Sequence, residues 1–166
     1  YNKGVLTSSV IKKIIAAAKS KHIPIAVDPK KENFWEYQGV DLFKPNLKEL
    51  NDACGTQIAG DNITDIEKET KKLQEKLKAK NILLTLSENG IFHQSKKSFH
   101  QAAFKRNIVD VSGAGDSVIA AAALGLSLEI TAQELCTISN LAGGLVCEKA
   151  GVVPVHKENL LAALTH

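Results

Sequence analysis

Short apolar runs that stop at proline, glycine or a polar cap alternate with longer helical stripes along most of this chain. Residues 23–27 are apolar and stop at Asp28-Pro29, residues 40–43 stop at Pro45, and residues 81–86 read Asn-Ile-Leu-Leu-Thr-Leu. Each fits a short buried strand. Residues 7–21 place Val10, Ile11, Ile14, Ile15 and Ala18 at helical spacing behind Thr7 and Ser8, and residues 64–79 do the same with Ile66, Leu73 and Leu77. Residues 46–54 read as a short helix stopped by Gly55. Residues 90–94, 98–102 and 105–109 read as strands of a hairpin-like region, followed by three helices near 114–127, 132–149 and 157–165. Strands and helices joined by short connections predict an α/β fold, a mostly parallel sheet flanked by helices. Ligands in such sheets bind beyond the carboxyl ends of the strands. Asp28, Asn46, Ser87 and Asp110 all come just after expected strands and are therefore expected on one rim.

The last of these begins the run Asp110-Val-Ser-Gly-Ala-Gly-Asp-Ser, which enters an apolar helix at Val118. Gly113, Ala114 and Gly115 are small enough to let backbone N–H groups face a ligand where a helix starts and its dipole is positive. Asp116 adds a carboxylate in the first turn, so an anion cradle stands beside a candidate base. The same residues also fit an ordinary helix-start loop with an Asp that complements the dipole. A dinucleotide fingerprint would need glycine where Val118 stands, and no Gly-Lys-Ser/Thr ending of a P-loop occurs.

Other polar groups have structural readings of their own. Asn46 and Glu49 have capping-box spacing, as do Thr64/Glu67 and Thr131/Glu134. Asn89-Gly90 between two apolar runs signals a tight turn. Asn140, Gly143 and Gly144 lie on a small-residue helix face suited to close packing, and the stretch ends at Gly151.

With 166 residues and 44% hydrophobic side chains the chain suits one domain or a large part of one. The net charge of +3 comes from lysine pairs among acidic residues, with Arg106 the only arginine. No aromatic-basic stripe accompanies them, which argues against nucleic-acid binding. Cys54, Cys136 and Cys147 lack metal or disulfide spacing and fit reduced thiols of a cytoplasmic protein. The five histidines show no ligand spacing and are expected at the surface or in turns. No apolar run is long enough for a membrane span. The chain starts at Tyr1 and contains no methionine, so a fragment is expected.

Asp110 to Asp116 matches at every position the D-[TSV]-x-[GA]-A-G-D signature of the PfkB (ribokinase-like) carbohydrate kinases, and the chain resembles that family throughout. Pro45-Asn46-x-x-Glu49 resembles its N-x-x-E motif, and Thr85 to Gly90 its T-[RL]-G-x-x-G segment, with Ser87 where many members carry glycine. Within the family the likeness is greatest to the heptose 7-phosphate kinases, the kinase domains of bifunctional ADP-heptose synthases. It rests on Tyr1-Asn-Lys-Gly-Val-Leu, Val27-Asp-Pro-Lys30, Phe34, Tyr37-x-Gly39, Ser87-Glu-Asn-Gly90 and the Asp116 run.

The resemblance implies the C-terminal, nucleotide-binding portion (residues 1–166) of a single ribokinase-like domain, without the N-terminal sugar-binding and lid portion. It implies ATP-dependent phosphorylation of a sugar hydroxyl, with Asp116 as general base and Gly113, Ala114 and Gly115 as the anion hole. Asn46 and Glu49 would hold Mg²⁺ through water. Thr85, Ser87 and Gly90 would line the nucleotide phosphates, and Asn140, Gly143, Gly144 and Val152 the adenine. Asp110 and Ser112 occupy part of a monovalent-cation (K⁺) arrangement found in many relatives. The implied partners are a nucleotide and a phosphorylated sugar, with a homodimer for the whole protein. The isolated chain is expected to bind ATP weakly and to be a poor kinase.

Overall fold

A computed structural model describes residues 4–165. Tyr1, Asn2 and Lys3 of the first resembling run, and His166, lie outside the described residues. The elements run in the order α1 (Ser8–Ser20), β1 (Ala26–Val27), β2 (Leu42–Phe43), α2 (Leu47–Cys54), α3 (Ile63–Leu77), β3 (Asn81–Thr85), β4 (Ile91–Gln94), β5 (Ser98–Gln101), α4 (Ala114–Ser127), α5 (Ala132–Cys147) and α6 (Lys157–Leu164).

The strands form one sheet in the order β1-β2-β3-β4-β5. The first three are parallel, with Val27 opposite Phe43 and Phe43 opposite Ile82. The last three form an antiparallel meander, with Thr85 opposite Ile91 and Ile91 opposite Gln101. A strand's side chains point alternately to its two faces, and both faces here are covered. Val27, Phe43, Ile82, Leu84 and Phe92 face a core shared with Ile11, Ile15, Leu50, Ile66, Leu73 and Leu77 from α1, α2 and α3. Leu42, Leu83 and Ile91 face Val118 and Ala122 of α4 and Leu135 and Cys136 of α5. This explains why residues 82–84 form an unbroken apolar run rather than an alternating one. The α/β architecture with helices on both faces matches the expectation.

Local departures have physical causes. Residues 105–109 form no strand. The amides of Val109 and Asp110 both donate to the Cys147 carbonyl oxygen, at 2.8 and 3.2 Å, so this segment is tied to a helix end instead of a sheet edge. Asp110 therefore sits at no strand end. Thr64 does not cap α3, because Asn62 is the N-cap and accepts from the Asp65 amide at 3.2 Å. Thr131 and Glu134 do form a capping box. Ile14 is 54% exposed, so the stripe of α1 narrows to Ile11 and Ile15. His93 is not a surface residue. It lies on β4 with 2% exposure, and its Nε2 is 3.1 Å from Asn81 Oδ1.

Candidate active site

Because β1, β2 and β3 run parallel, their carboxyl ends open on the same side, and the residues just past each strand share one rim. Asp28 comes after β1, Asn46 comes after β2 and bridges to Thr85, and Ser87 comes after β3. The expected rim is thus formed from three of its four members. Helix α4 packs on the opposite face from α1, α2 and α3, and its first turn comes up against the end of β2.

The clearest sign of that approach is Lys44. It directly follows β2 with 3% exposure, and its Nζ lies 3.2 Å from Asp28 Oδ1. A Cβ added at Gly115 would stand 3.8 Å from the same ammonium. A buried cation is retained where a carboxylate or an incoming anion offsets its desolvation. Sequence reasoning overlooks Lys44, although a lysine within an otherwise apolar stretch before Pro45-Asn46 is a visible signal.

Gly113 precedes α4 as a left-handed N-cap with φ 80°, a conformation L side chains rarely adopt. A Cβ there would also stand 3.2 Å from Val152 Cγ1. The turn it makes changes the expected cradle in one respect. The Ala114 amide donates to the Val111 carbonyl oxygen at 3.2 Å and so closes the turn. Among the described residues, the amides of Gly113, Gly115 and Asp116 have no acceptor. The open donors are therefore one residue further into the helix than the sequence suggests. The Asp116 side chain is exposed and makes no hydrogen bond or ion pair with a described residue.

Beside this turn is a cavity of about 480 Å³, within the range of small-molecule sites. Thr85, Ser87, Gly90, Ala114, Gly115, Asn140, Gly143 and Gly144 line it, so eight of the expected residues converge. Gly113, Asp116, Val152, Asp110, Ser112, Asn46 and Glu49 do not line it. Phe104, Arg106 and Ile108 also line it, unmarked by any motif in the sequence, and so does Val111 from within the Asp110–Asp116 run. They belong to the loop between β5 and α4, part of which reads as a strand in the sequence but forms none.

Individual contacts show what fixes each wall. Ser87 adopts φ 53°, the left-handed conformation for which relatives would use glycine. At Gly90, with φ 88°, any Cβ would fall within the Gln101 carbonyl oxygen, so glycine is needed for the close approach of β5. A Cβ at Gly143 would meet Val118 Cγ2 at 2.8 Å, and one at Gly144 would meet Arg106 Cδ at 2.9 Å. The first glycine lets α4 and α5 pack closely, and the second leaves room for the Arg106 arm. Arg106 Nη1 then reaches Glu148 Oε2 at 3.0 Å. The Asn140 amide nitrogen donates to the Ala102 carbonyl oxygen at 2.8 Å and holds the start of the same loop.

Asp110 ties that loop to the turn after α5. Its Oδ1 accepts from the Ser112 amide at 2.9 Å and the Ser112 hydroxyl at 2.7 Å, while Oδ2 accepts from the Gly151 amide at 2.8 Å. The Ser112 bonds, and then the Gly151 bond, hold its carboxyl below the usual carboxylate range. Three donors thus converge on this carboxylate.

Asn46 and Glu49 form a reciprocal capping box. Asn46 Oδ1 accepts from the Glu49 amide and Glu49 Oε2 accepts from the Asn46 amide, both at 2.8 Å. Among the described residues no group of three His, Cys, Asp or Glu side chains is placed to hold a metal ion directly. One carboxylate and one amide at the rim do suit Mg²⁺, which keeps several waters and is bound partly by substrate phosphates.

A family model described as pfkB family carbohydrate kinase matches residues 3–158. The bifunctional protein HldE of Syntrophotalea carbinolica is 33% identical over 168 residues, spanning 100% of this chain and 34% of that protein. HldE of Campylobacter jejuni is 40% identical over 158 residues, spanning 93% and 33%. The chain thus covers about a third of the length of these relatives. Phosphofructokinase-2 from Escherichia coli, solved with potassium, superposes with a TM-score of 0.85 at 20% identity, over 96% of this chain and 52% of that one. Ribokinase from Thermotoga maritima gives 0.73 at 25% identity, over 94% and 54%. The fold is therefore ribokinase-like, and the chain belongs to the pfkB family of carbohydrate kinases.

Proposed function

We propose that this chain is the nucleotide-binding and base-carrying portion of an ATP-dependent sugar kinase, acting on the anomeric hydroxyl of a heptose 7-phosphate. The observation that carries the reading is the position of Asp116. Its carboxylate is exposed and unpartnered, next to the open amides of Gly113 and Gly115, with the Lys44 ammonium at Gly115. The likeness to the HldE proteins supports the choice of sugar.

In this mechanism the nucleotide occupies the cavity, its base between Gly143, Gly144 and the Phe104–Ile108–Val111 wall and its phosphates towards Thr85, Ser87 and Gly115. Asp116 accepts the proton of the sugar hydroxyl as that oxygen forms its bond to the γ-phosphorus. The bond from phosphorus to the β–γ bridging oxygen breaks, and ADP leaves with the electron pair. The amides of Gly113, Gly115 and Asp116 donate to the oxygens on which charge builds. One such donor is worth roughly 3–4 kcal/mol in comparable anion holes. Lys44 adds a fixed positive charge in a low-dielectric position.

Asn46 and Glu49 would hold Mg²⁺ through water, and when bound it neutralises charge on the nucleotide phosphates. A monovalent cation such as K⁺ would be held beside Asp110 and Ser112, where the loop before α4 meets the turn at Gly151. Cytoplasmic location and a homodimer for the whole protein belong to the same reading. The free cysteines fit the former, and no helix among the described residues is long and apolar enough to cross a membrane.

Titrating the isotope-labelled chain with the Mg²⁺ complex of a non-hydrolysable ATP analogue tests this reading. Amide shifts are expected at 85–90, 113–116 and 140–144, with NAD giving none. Shifts that avoid all three segments, or a preference for NAD, would refute it.

A further inference from the structure

The rim continues beyond Lys44, on the side away from the nucleotide cavity. Asp28 binds two cations through separate oxygens: Oδ1 takes Lys44 Nζ at 3.2 Å and Oδ2 takes Lys30 Nζ at 3.4 Å. The two ammoniums differ in their surroundings. The Lys44 side chain is 3% exposed, whereas that of Lys30 is 40% exposed and within reach of a ligand. Tyr37, which is buried, feels both the positive charge of Lys30 and the negative charge of Asp28.

One carboxylate between two ammoniums leaves the row one negative charge short. Asp116 forms an ion pair with neither lysine, and no other carboxylate pairs with them among the described residues. The desolvated Lys44 favours an incoming anion, and the half-exposed Lys30 keeps its charge open to a ligand at the rim. The γ-phosphoryl group accounts for an anion at Lys44, since that ammonium stands at Gly115 on the cavity side. It does not account for Lys30. That residue lies just past β1 at one edge of the sheet order, while the cavity is bounded by the end of β3 and the turn after it, the start of β4, the β5–α4 loop, α4 and α5.

We propose that Lys30, held by Asp28, recognises an anionic group carried by the acceptor itself, so that this site selects a phosphorylated sugar over a neutral one. The inference rests on the kinase reading above and adds a residue to it. Phosphoryl transfer needs donor and acceptor on opposite sides of the cradle. With the nucleotide on the β3–α5 side, the acceptor is on the β1 side, where Lys30 is the accessible cation that Asp28 holds. Asp28 is a positioning residue: it restrains the flexible lysine arm, so less side-chain entropy is lost when an anion binds.

The experiment tracks the amide shifts of residues 28–30 in the whole protein, saturated with the Mg²⁺ complex of the ATP analogue. Mannose 6-phosphate is titrated against mannose and against inorganic phosphate. The phosphorylated sugar is expected to shift these amides and mannose to leave them unmoved, with inorganic phosphate acting more weakly at the same positions. Lys30→Ala should weaken the phosphosugar by about tenfold, the scale of one charge-assisted contact, while Lys30→Arg retains most of it. Nucleotide affinity should stay within about twofold in both variants, because Lys30 is outside the cavity. Equal responses to mannose and its phosphate, or a Lys30→Ala variant that binds both as the wild type does, would overturn the inference alone. Failure of the nucleotide analogue to bind would instead overturn the kinase reading.

Discussion

Asp110 Oδ2 accepts the backbone N–H of Gly151 at 2.8 Å and thereby joins the loop before α4 to the turn after α5. These segments are 41 positions apart in the chain, and the cavity is enclosed between the helices they flank. Replacing the acceptor should open the turn without unfolding the domain. For Asp110→Asn we expect faster hydrogen exchange at Gly151 and Val152 and weaker nucleotide binding, with the melting temperature nearly unchanged. Unaltered exchange at Gly151 would mean that the bond does not restrain the turn.

Gly90 is the position least tolerant of a side chain. Its left-handed φ of 88° and the Gln101 carbonyl oxygen in the place of any Cβ are both backbone constraints, so a rotamer change cannot relieve them. Gly90→Ala should destabilise by at least about 3 kcal/mol, a value in the range of backbone strain combined with overpacking. Urea denaturation measures it directly. A loss below about 1 kcal/mol would show that β4 and β5 can separate at this point.

Asn46 and Glu49 have two separable roles. As a capping box they stabilise α2, and Asn46→Ala should lower stability by about 1 kcal/mol. Asn46→Ser retains a capping oxygen and should restore most of that loss. If the pair also holds Mg²⁺ through water, Asn46→Ser will still weaken the Mg²⁺ dependence of nucleotide binding. Full recovery of both properties in the serine variant would confine the motif to capping.

Burial alone lowers the His93 pKa to about 4. In the unfolded chain histidine titrates near 6.5, so between these values the unfolded state binds more protons than the folded one. Stability is therefore full above about pH 6.5 and falls as the pH drops towards 4, by about 3 kcal/mol if His93 acts alone. The Asn81 amide nitrogen donates to the Asp41 carbonyl oxygen, which leaves Asn81 Oδ1 to accept from a neutral His93 with its proton on Nε2. His93→Gln should flatten the acid limb of a stability–pH curve measured by chemical denaturation. An unchanged slope would assign the acid sensitivity to other groups.

How much of this could be read from the chain depends on which contacts are local. The strand–helix alternation exposed the sheet because each apolar run is bounded by its own stop residue. The caps at Thr7, Asn46 and Thr131 could be read because they lie within one turn of their partners. The Asp116 run carried its own geometry for the same reason. Contacts between distant segments escaped. Lys44 acquires meaning only when Asp28 and Gly115 arrive from other elements. Residues 105–109 look like a strand, but the Cys147 carbonyl oxygen claims the amides at their end. His93 looks like a surface residue until β3 and β5 close on either side of it. The spent amide of Ala114 is likewise invisible, because the left-handed turn at Gly113 folds it back on Val111.

The most direct test compares wild type with Asp116→Asn in the whole protein. Phosphoryl transfer from ATP to the phosphorylated sugar and the dissociation constant of the Mg²⁺–nucleotide complex are measured on the same preparations. Removing a general base should reduce turnover by about 10²–10⁴-fold, while nucleotide affinity stays within about twofold, since Asp116 is outside the cavity. Turnover within tenfold of wild type would contradict the assignment of Asp116 and the account built around it.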